Sequence, residues 1–271
     1  MLKTDNRQIQ AAMASHRGLV RPENQDACLL LPERGLYILA DGMGGHSAGA
    51  VAAQRVIEKL PLELTAELKN QSDLNHAATD AQRQQALRLA VQQVSREIRI
   101  EGARDIETQG MGSTLVMVWL HQQVATLAHV GDSRIYLWRD GRLQSLTDDH
   151  SMGNFLLQLN QITAEDIEKN ANLRILIRCM GMAGEVEPDI SQLVLKKNDY
   201  LLLCSDGLTT MIQEKEIAAV IGRNQDLDIA CETLVEAAIQ AGGCDNISVI
   251  LLRWDGKTTL AKHKKGLTIM A

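Results

Sequence analysis

Aromatic side chains are scarce in this sequence: its 271 residues include three Trp, three Tyr and one Phe. Positive charge is not in excess either, because 28 Lys and Arg stand against 34 Asp and Glu, for a net charge of −6. Nucleic-acid-binding proteins need a positive surface for the phosphates and usually aromatic platforms for the bases. The composition therefore argues against nucleic acid as a partner.

Long apolar runs and cysteine pairs are also missing. No stretch of about 18 apolar residues occurs, which predicts that no helix spans a membrane. Residues 1–7 lack the apolar core of a signal peptide. The five cysteines are an odd number, widely spaced and without a C-x-x-C motif. Together these absences predict a reduced, cytoplasmic protein without a membrane partner.

The pattern of apolar residues favours an α+β fold in one domain. The chain has no repeat and no linker rich in Pro or Ser, and 45% of it is hydrophobic, which is enough for a large core. Short runs rich in Val, Ile and Leu predict strands: 11–15, 35–40, 113–120, 124–130, 134–139, 200–204 and 247–254. Helical periodicity predicts helices at 48–60, ended by Pro61, at 79–100, and at 227–241, closed by Gly242 and Gly243. Since Asp140-Gly141 predicts a hairpin and the helices form separate blocks, we expect an antiparallel sheet.

Carboxylates recur where the predicted strands end. Asp41, Asp132 and Asp206 each follow an apolar run, and Asp245 precedes one. Each taken alone is explained by the turn preference of Asp-Gly and Asp-Asn. If these strands are neighbours, however, the four carboxylates converge and repel one another unless cations neutralise them. Oxygen ligands without a Cys/His cluster favour Mg²⁺ or Mn²⁺, and two such ions can activate water and hold a phosphoryl group.

Arg21 precedes a polar segment that ends at Asp26. A guanidinium can bind phosphate with two hydrogen bonds. On composition alone, a surface arginine is the simpler interpretation.

Seven segments, taken in order, resemble the metal-dependent serine/threonine protein phosphatases of the PP2C (PPM) type, in their compact bacterial form. They are Arg21-x-x-Asn24-Gln25-Asp26, Asp41-Gly42-Met43-Gly44-Gly45, Gly112-Ser113-Thr114, Val130-Gly131-Asp132-Ser133-Arg134, Leu146-Thr147-Asp148-Asp149-His150-Ser151, Ser205-Asp206-Gly207-Leu208 and Asp245-Asn246-Ile247-Ser248-Val249. The resemblance implies a central antiparallel β-sandwich flanked by helices on both faces. It also implies one phosphatase domain over 10–255, a flap at about 151–180 and a short tail at 256–271.

The resemblance further implies a metal centre with two Mn²⁺ or Mg²⁺ ions and a weaker third. Asp41 resembles the carboxylate that bridges two ions, and the Gly42 carbonyl resembles a ligand of the second. Asp206 and Asp245 are similar to the remaining ligands of the first ion. Asp132 resembles the residue that, with Asp206, holds the third.

Two other residues take roles from the same resemblance. Arg21 resembles the phosphate-binding arginine, and Asp26 resembles a residue that orders metal-bound water. The implied reaction is in-line attack of a metal-bridging hydroxide on phosphoserine or phosphothreonine. The implied partners are phosphoproteins and a bacterial Ser/Thr kinase that the enzyme opposes, with a monomer as the default state.

Three positions depart from the commonest family pattern. Gln25 stands where many members have a Glu that contacts a metal through water, and His16 where Asp is frequent. Met43 stands where animal members have a His proposed as general acid. Since Gln25 and His16 depart from the pattern, a weakly catalytic phosphoprotein-binding adaptor is the second hypothesis.

Residues 45–49 match the G-x-S-x-G motif of serine esterases, which is a remote third hypothesis. Four residues separate the end of the predicted strand from this motif, whereas a nucleophile elbow follows its strand directly. We therefore interpret Ser47 as a helix N-cap.

Overall fold

The computed structural model describes residues 9–45, 48–71 and 78–256, and in these residues eleven strands form two antiparallel sheets. The strands are β1 (Ile9–His16), β2 (Asp26–Leu31), β3 (Leu36–Met43), β4 (Gly112–Ser113), β5 (Leu115–His121), β6 (Val124–Val130), β7 (Arg134–Arg139), β8 (Arg142–Ser145), β9 (Asp189–Val194), β10 (Tyr200–Cys204) and β11 (Ile247–Trp254). One sheet has the order β1-β11-β10-β7-β8, and the other has β2-β3-β5-β6-β9 with β4 paired to β3.

Seven helices accompany the sheets in the described ranges. They are α1 (Ala48–Gln71), α2 (Asp80–Gly102), α3 (Met152–Gln158), α4 (Ala164–Lys169), α5 (Asp206–Thr209), α6 (Glu214–Arg223) and α7 (Leu227–Gln240). Among the residues that the structure describes, no helix is both long enough and apolar enough to cross a bilayer.

The two sheets pack face to face, and helices cover both outer faces. Alternation along β3 shows the layering: Tyr37 and Leu39 are buried between the sheets, whereas Ile38 and Ala40 are buried under α1 and α2. The outer face of the other sheet packs against α6 and α7. The predicted sandwich with helices on both faces is confirmed.

Most predicted strands are present with the predicted bounds or close to them. The strands at 124–130, 134–139, 200–204 and 247–254 have the predicted limits. Asp140 and Gly141 join β7 to β8 with φ of 52° and 77°, the left-handed pair that a tight hairpin needs. Strand β3 is longer than predicted, because Asp41 and Gly42 still pair with β2 and β4.

The predicted helix end at Pro61 is wrong, since α1 runs on to Gln71. Proline removes one backbone N–H and strains the preceding turn, at a cost of about 3 kcal/mol. Leu60 and Leu64 are fully buried on either side of Pro61, and burial of each contributes about 1.5–3 kcal/mol. The Pro61 carbonyl also accepts hydrogen bonds from Thr65 Oγ1 and Arg34 Nη2. Packing therefore outweighs the local penalty.

The other two predicted helices are confirmed with small shifts of their ends. Helix α2 begins after Thr79, whose hydroxyl accepts a hydrogen bond from the Gln82 N–H in a capping box. Helix α7 ends at Gln240, and the N–H groups of Gly242 and Gly243 donate to the carbonyls of Ile239 and Ala238. The predicted N-cap Ser47 lies outside the described residues, as does the tail beyond Gly256.

Residues 151–180 belong to the connection between β8 and β9 in the chain. They contain α3, α4 and a 3-10 turn at Ala171–Arg174. An isolated antiparallel bridge between Ser151 and Leu176 joins the two ends of the segment, and a second between Ser113 and Met180 attaches it to β4. Several large apolar side chains of this segment are exposed, among them Phe155. The bridge at Ser113 brings the end of the segment beside Asp41 and Gly42.

Candidate metal centre

One end of the sandwich opens into a cleft of about 600 Å³. Its walls come from both sheets and from the 151–180 segment. The lining residues are Arg21, Pro22, Glu23, Gln25, Asp41, Gly42, Met43, Gly44, Thr114, Asp132, Ile175, Leu176, Cys179, Asp206, Asp245 and Asn246. The cleft thus brings together the four strand-end carboxylates, Gly42 and Arg21, which are distant in sequence.

The sheet topology explains why these carboxylates meet. Strands β10 and β11 pair with Cys204 opposite Val249, so Asp206 and Asp245 emerge at the same end of one sheet. In the other sheet, Asp41 lies near the end of β3, and Asp132 follows the end of β6. Because the sheets stack with these ends together, all four side chains reach the cleft.

The backbone of Asp41 is fixed from both sides. Its N–H donates to Thr114 Oγ1 at 2.9 Å, and its carbonyl accepts from the Thr114 N–H at 2.8 Å. The Ser113 hydroxyl donates to the same carbonyl at 3.0 Å. Sequence reasoning noted Gly112-Ser113-Thr114 as a motif without a role. In the structure, this segment holds the central carboxylate in place.

Asp26 lies behind the cleft, opposite Asp41 in the β2–β3 register. Its Oδ2 accepts a hydrogen bond of 2.9 Å from Ser205 Oγ. Its Oδ1 is buried and makes no hydrogen bond of good geometry to the described residues, although the nearby Ser248 hydroxyl, like that of Ser205, lowers the pKa of the carboxyl. An orphaned buried carboxylate oxygen is costly, which indicates that another group satisfies it in the working protein.

The carboxylates of the site perturb one another's titration. Burial raises the pKa of Asp206 to about 6, of Asp26 to about 7 and of Asp132 to about 8, and repulsion from neighbouring aspartates adds to each shift. Burial and the charges of Asp26 and Asp206 also raise the pKa of Asp41 well above its usual range. Such shifts are expected where carboxylates crowd together without enough counter-charge.

Arg21 supplies positive charge at the rim of the cleft. Its Nη2 donates to Asp245 Oδ2 at 2.7 Å, and its side chain is 54% exposed. Arg134, by contrast, is held by Asp149 through two hydrogen bonds of 2.7 Å. One exposed guanidinium balances little of the charge of the clustered aspartates. The site is therefore suited to divalent cations.

The donor atoms fit a hard cation. Carboxylate oxygens and backbone carbonyls are the ligands that Mg²⁺ and Mn²⁺ prefer, whereas zinc sites in proteins favour His and Cys. Gly42 offers its carbonyl, and the position requires glycine because a Cβ there would lie 2.0 Å from the Gly49 carbonyl oxygen. The cleft offers such oxygen donors at the predicted positions Asp41, Gly42, Asp132, Asp206 and Asp245, and also at Glu23.

A second group of potential ligands lies outside the cleft. Atoms of His129, His150 and Asp189 come within 4.8 Å of one another. His150 Nδ1 accepts the Gly131 N–H at 3.1 Å, so the ring proton is on Nε2, which faces Asp189 Oδ2 at 3.1 Å. In this arrangement the group is a hydrogen-bonded network, and Arg178 joins it through a hydrogen bond of 2.7 Å from its Nη1 to Asp189 Oδ1.

The three departures from the family pattern have different surroundings. Gln25 Nε2 donates to Glu23 Oε1 at 2.8 Å, so a carboxylate lies beside the amide in the cleft wall. His16 Nδ1 accepts the Gly18 N–H at 3.0 Å and braces a turn. Met43 lines the cleft with a thioether and brings no titratable group.

Sequence reasoning missed the role of Asn246. Its Nδ2 donates to the carbonyls of Arg17 and Glu23, both at 2.9 Å, and its Oδ1 accepts the Gln25 N–H at 2.8 Å. These bonds fix the loop that carries Arg21. Asn246 lies 221 to 229 residues from the partners, so the sequence carried no local signal for it.

Gly207→Ala is expected to destabilise the protein by at least about 2 kcal/mol, since the new Cβ would lie 1.9 Å from the Asn246 carbonyl oxygen. The backbone of Asp206 and Asn246 would have to separate, which would also weaken Mn²⁺ binding. Urea unfolding and calorimetric Mn²⁺ titration measure the two effects. Gly45→Ala is the matched control, because a Cβ at Gly45 meets nothing within 4 Å. Equal stability of the two variants would contradict the prediction.

Comparison with known proteins agrees with this geometry. A family model described as Protein phosphatase 2C matches residues 14–238. Serine/threonine phosphatase stp of Listeria monocytogenes is 34% identical over 253 residues, which cover 91% of this chain and 96% of that protein. Protein phosphatase PhpP of Streptococcus pneumoniae is 36% identical over 253 residues, covering 90% and 97%.

A solved structure is similar in three dimensions as well. It is the catalytic domain of the serine/threonine protein phosphatase PstP in complex with two manganese ions, with a TM-score of 0.74 and 31% identity. The match covers 90% of this chain and 97% of that one. The ordered motifs, the stacked antiparallel sheets and these matches lead to one conclusion: the chain belongs to the protein phosphatase 2C family.

Proposed function

We propose that this protein is a metal-dependent phosphatase that hydrolyses phosphoserine and phosphothreonine in proteins. The observation that carries the proposal is the convergence of Asp41, Asp132, Asp206 and Asp245 with Arg21 in one cleft. The similar proteins are named serine/threonine phosphatases, and one is described with two manganese ions. The protein is accordingly assigned to the phosphoric monoester hydrolases.

The aspartates of the cleft are the proposed metal ligands. Asp41 would hold both ions, together with Asp206 and Asp245 for the first and the Gly42 carbonyl for the second. Asp132 and Asp206 would hold a weaker third ion. The mutual repulsion of these carboxylates supports the assignment, because it is relieved when cations are bound.

Bound Mn²⁺ or Mg²⁺ would acidify water to supply the nucleophile and would neutralise charge on the phosphoryl group. Arg21 binds two phosphoryl oxygens, and its 54% exposure leaves it free to turn from Asp245 towards the substrate. Asp26 holds water through its buried Oδ1, while Ser205 fixes its other oxygen. Met43 has no proton to give, so water in the cleft protonates the departing Ser or Thr oxygen.

Further parts of the assignment rest on the family. Residues 10–255 are the proposed phosphatase domain, and 151–180 the proposed flap, whose Ile175 and Leu176 form one wall of the cleft. We propose that the protein acts as a cytoplasmic monomer on the phosphoproteins of a bacterial Ser/Thr kinase. A pull-down of phosphoproteins with a metal-free protein, followed by mass spectrometry, would identify candidates.

The activity is tested by release of phosphate from a phosphothreonine peptide by the purified chain. After chelation, we expect no release, and addition of about millimolar Mn²⁺ should restore it. Asp206→Asn should raise the Mn²⁺ concentration for half-maximal activity by at least about tenfold, since a ligand charge is lost. Asp228→Asn, at an exposed aspartate away from the cleft, is the matched control and should behave like the wild type.

The same assay separates the alternatives. Binding of the phosphopeptide without turnover at saturating Mn²⁺ would favour the adaptor. Phosphate release that depends neither on Mn²⁺ nor on Asp206 would point instead to the serine esterase. Its candidate nucleophile, Ser47, lies outside the described residues. No observation on the described residues favours either over the phosphatase.

A further inference from the structure

We propose that His150 is a positioning residue that couples the loop bearing Asp132 to the wall of the cleft formed by Ile175 and Leu176. The inference rests on the proposed function, because it assigns both elements to the metal and substrate site. His150 does not line the cleft. It contacts both elements through hydrogen bonds, which its backbone and its ring each make.

First, His150 forms hydrogen bonds to Gly131 through both its backbone and its ring. The His150 N–H donates to the Gly131 carbonyl at 2.8 Å, and the His150 Nδ1 accepts the Gly131 N–H at 3.1 Å. Gly131 has φ of 110°, and a Cβ there would lie 2.6 Å from Thr114 Cγ2. The next residue is Asp132. His150 therefore fixes the peptide groups on both sides of Gly131. Because the second of these peptide groups leads to Asp132, the backbone orientation of Asp132 is fixed as well.

The second step is the hold of the same residue on the cleft wall. The His150 carbonyl accepts the Ile177 N–H at 2.9 Å. The next residues continue the contact: Ser151 bridges to Leu176, and the Met152 N–H donates to the Ile175 carbonyl at 2.9 Å. Ile175 and Leu176 line the cleft. The wall is thus attached to the segment that starts at His150.

The third step is that the ring cannot turn away. The side chain is 7% exposed, and its ring lies against that of His129 with a centroid separation of 4.4 Å. Nε2 faces Asp189 Oδ2 at 3.1 Å, and Arg178 Nη1 lies 3.0 Å from Nε2 and 2.7 Å from Asp189 Oδ1. Because Nδ1 accepts the Gly131 N–H, the neutral ring carries its proton on Nε2, where Asp189 Oδ2 accepts it. The two hydrogens of Arg178 Nη1 are donated to Asp189 Oδ1 and to the Glu187 carbonyl.

Two substitutions divide the functions of the ring. Asn places its Oδ1 where Nδ1 stands, so His150→Asn keeps an acceptor for Gly131 and loses the contact with Asp189. Gln places its amide nitrogen where Nε2 stands, so His150→Gln keeps the contact with Asp189 and loses the acceptor. Both variants keep the backbone bonds to Gly131 and Ile177. A purely structural role would make the two variants alike.

The first measurement is amide hydrogen exchange of the metal-free protein. We expect the Gly131 amide to exchange about tenfold faster in His150→Gln than in the wild type, and within about twofold of it in His150→Asn. The second is Mn²⁺ binding followed by electron paramagnetic resonance. The weakest site should lose about tenfold in affinity in His150→Gln and be largely kept in His150→Asn. Equal behaviour of the variants in both measurements would overturn the proposal.

Kinetics supply the third measurement. At saturating Mn²⁺, His150→Gln should raise the KM for a phosphothreonine peptide several-fold, while kcat for a small aryl phosphate stays within about twofold. If His150→Gln does not fold, Asp189→Asn replaces it, since Asp189 is 57% exposed. It should speed exchange at Gly131 by about threefold, and unchanged exchange would overturn the proposal. The exchange experiment uses neither metal nor substrate, so it tests the role of His150 separately from the proposed function. An inactive wild type would refute the phosphatase activity, and the exchange rates would still support or overturn the role of His150.

Discussion

Asp41→Asn is expected to lower kcat by more than about a hundredfold at saturating Mn²⁺, a loss of roughly 2.7 kcal/mol or more in transition-state stabilisation. Asp41 is the carboxylate at the centre of the cluster, and both Asp26 and Asp206 raise its pKa. An amide oxygen occupies the same space but brings no charge, so it holds a divalent ion more weakly. Phosphate release from a phosphothreonine peptide, measured across a Mn²⁺ titration, gives the effect.

The same substitution should not harm the fold. Because burial and like charges disfavour an ionised Asp41, removing its charge relieves repulsion in the metal-free protein. The thermal midpoint of metal-free Asp41→Asn at pH 7.5 should therefore equal or exceed that of the wild type. This separates a lost ligand from a misfolded chain. Near-normal kcat in the Mn²⁺-loaded variant would refute the role of Asp41 as the central ligand.

Asp41 also shows which parts of the site the sequence predicts and which it does not. An apolar run that ends at an aspartate, repeated at Asp132 and Asp206, predicts both the strands and the charged end of the sheet, since strand ends are where side chains leave the core. What the pattern could not supply was the neighbour relation. Asp26 lies opposite Asp41 only because β2 pairs with β3, and the six residues of β2 are all half-buried, without the alternation that marks a strand.

The parts that were missed depend on contacts between distant segments. Asn246 and His150 are polar residues whose roles are set by partners outside their own element, and nothing in their local sequence distinguishes them from turn residues. Pro61 is the opposite case: a strong local signal for a helix end was overridden because Leu60 and Leu64 pack into the core. Local sequence patterns therefore located the aspartates of the site better than the residues that hold them in place.

Metal-free protein is expected to lose stability as the pH rises from about 5.5 to 8.5. An aspartate whose folded pKa exceeds its unfolded value stabilises the fold at low pH and loses that contribution as the pH passes its folded pKa. The relevant values are about 6 for Asp206, about 7 for Asp26 and about 8 for Asp132. Ionisation then forces like charges together in a buried place.

The expected size follows from the shifts. A single group loses about 1.4 kcal/mol for each pH unit between the start of the range and its folded pKa, so we expect a loss of at least about 2 kcal/mol in all. For a domain of this size, that lowers the midpoint of thermal unfolding by at least about 4–8 °C. Scanning calorimetry at pH 5.5, 7.0 and 8.5, with chelator, measures it. Saturating Mn²⁺ should remove the decline, because the ions bind the ionised carboxylates and stabilise the fold more as the pH rises.

Two comparisons assign this decline to the cleft. Asp132→Asn removes the group with the highest of the three values and should flatten the curve between pH 7.0 and 8.5. Burial lowers the pKa of His129 to about 3. Its contribution to the free energy of unfolding therefore changes only below the unfolded-state pKa of about 6.5, and not between pH 7.0 and 8.5. A metal-free midpoint that stays level or rises up to pH 8.5 would mean that the carboxylates do not repel one another. The electrostatic case for cations in the cleft would then be lost, even if Asp41→Asn were inactive.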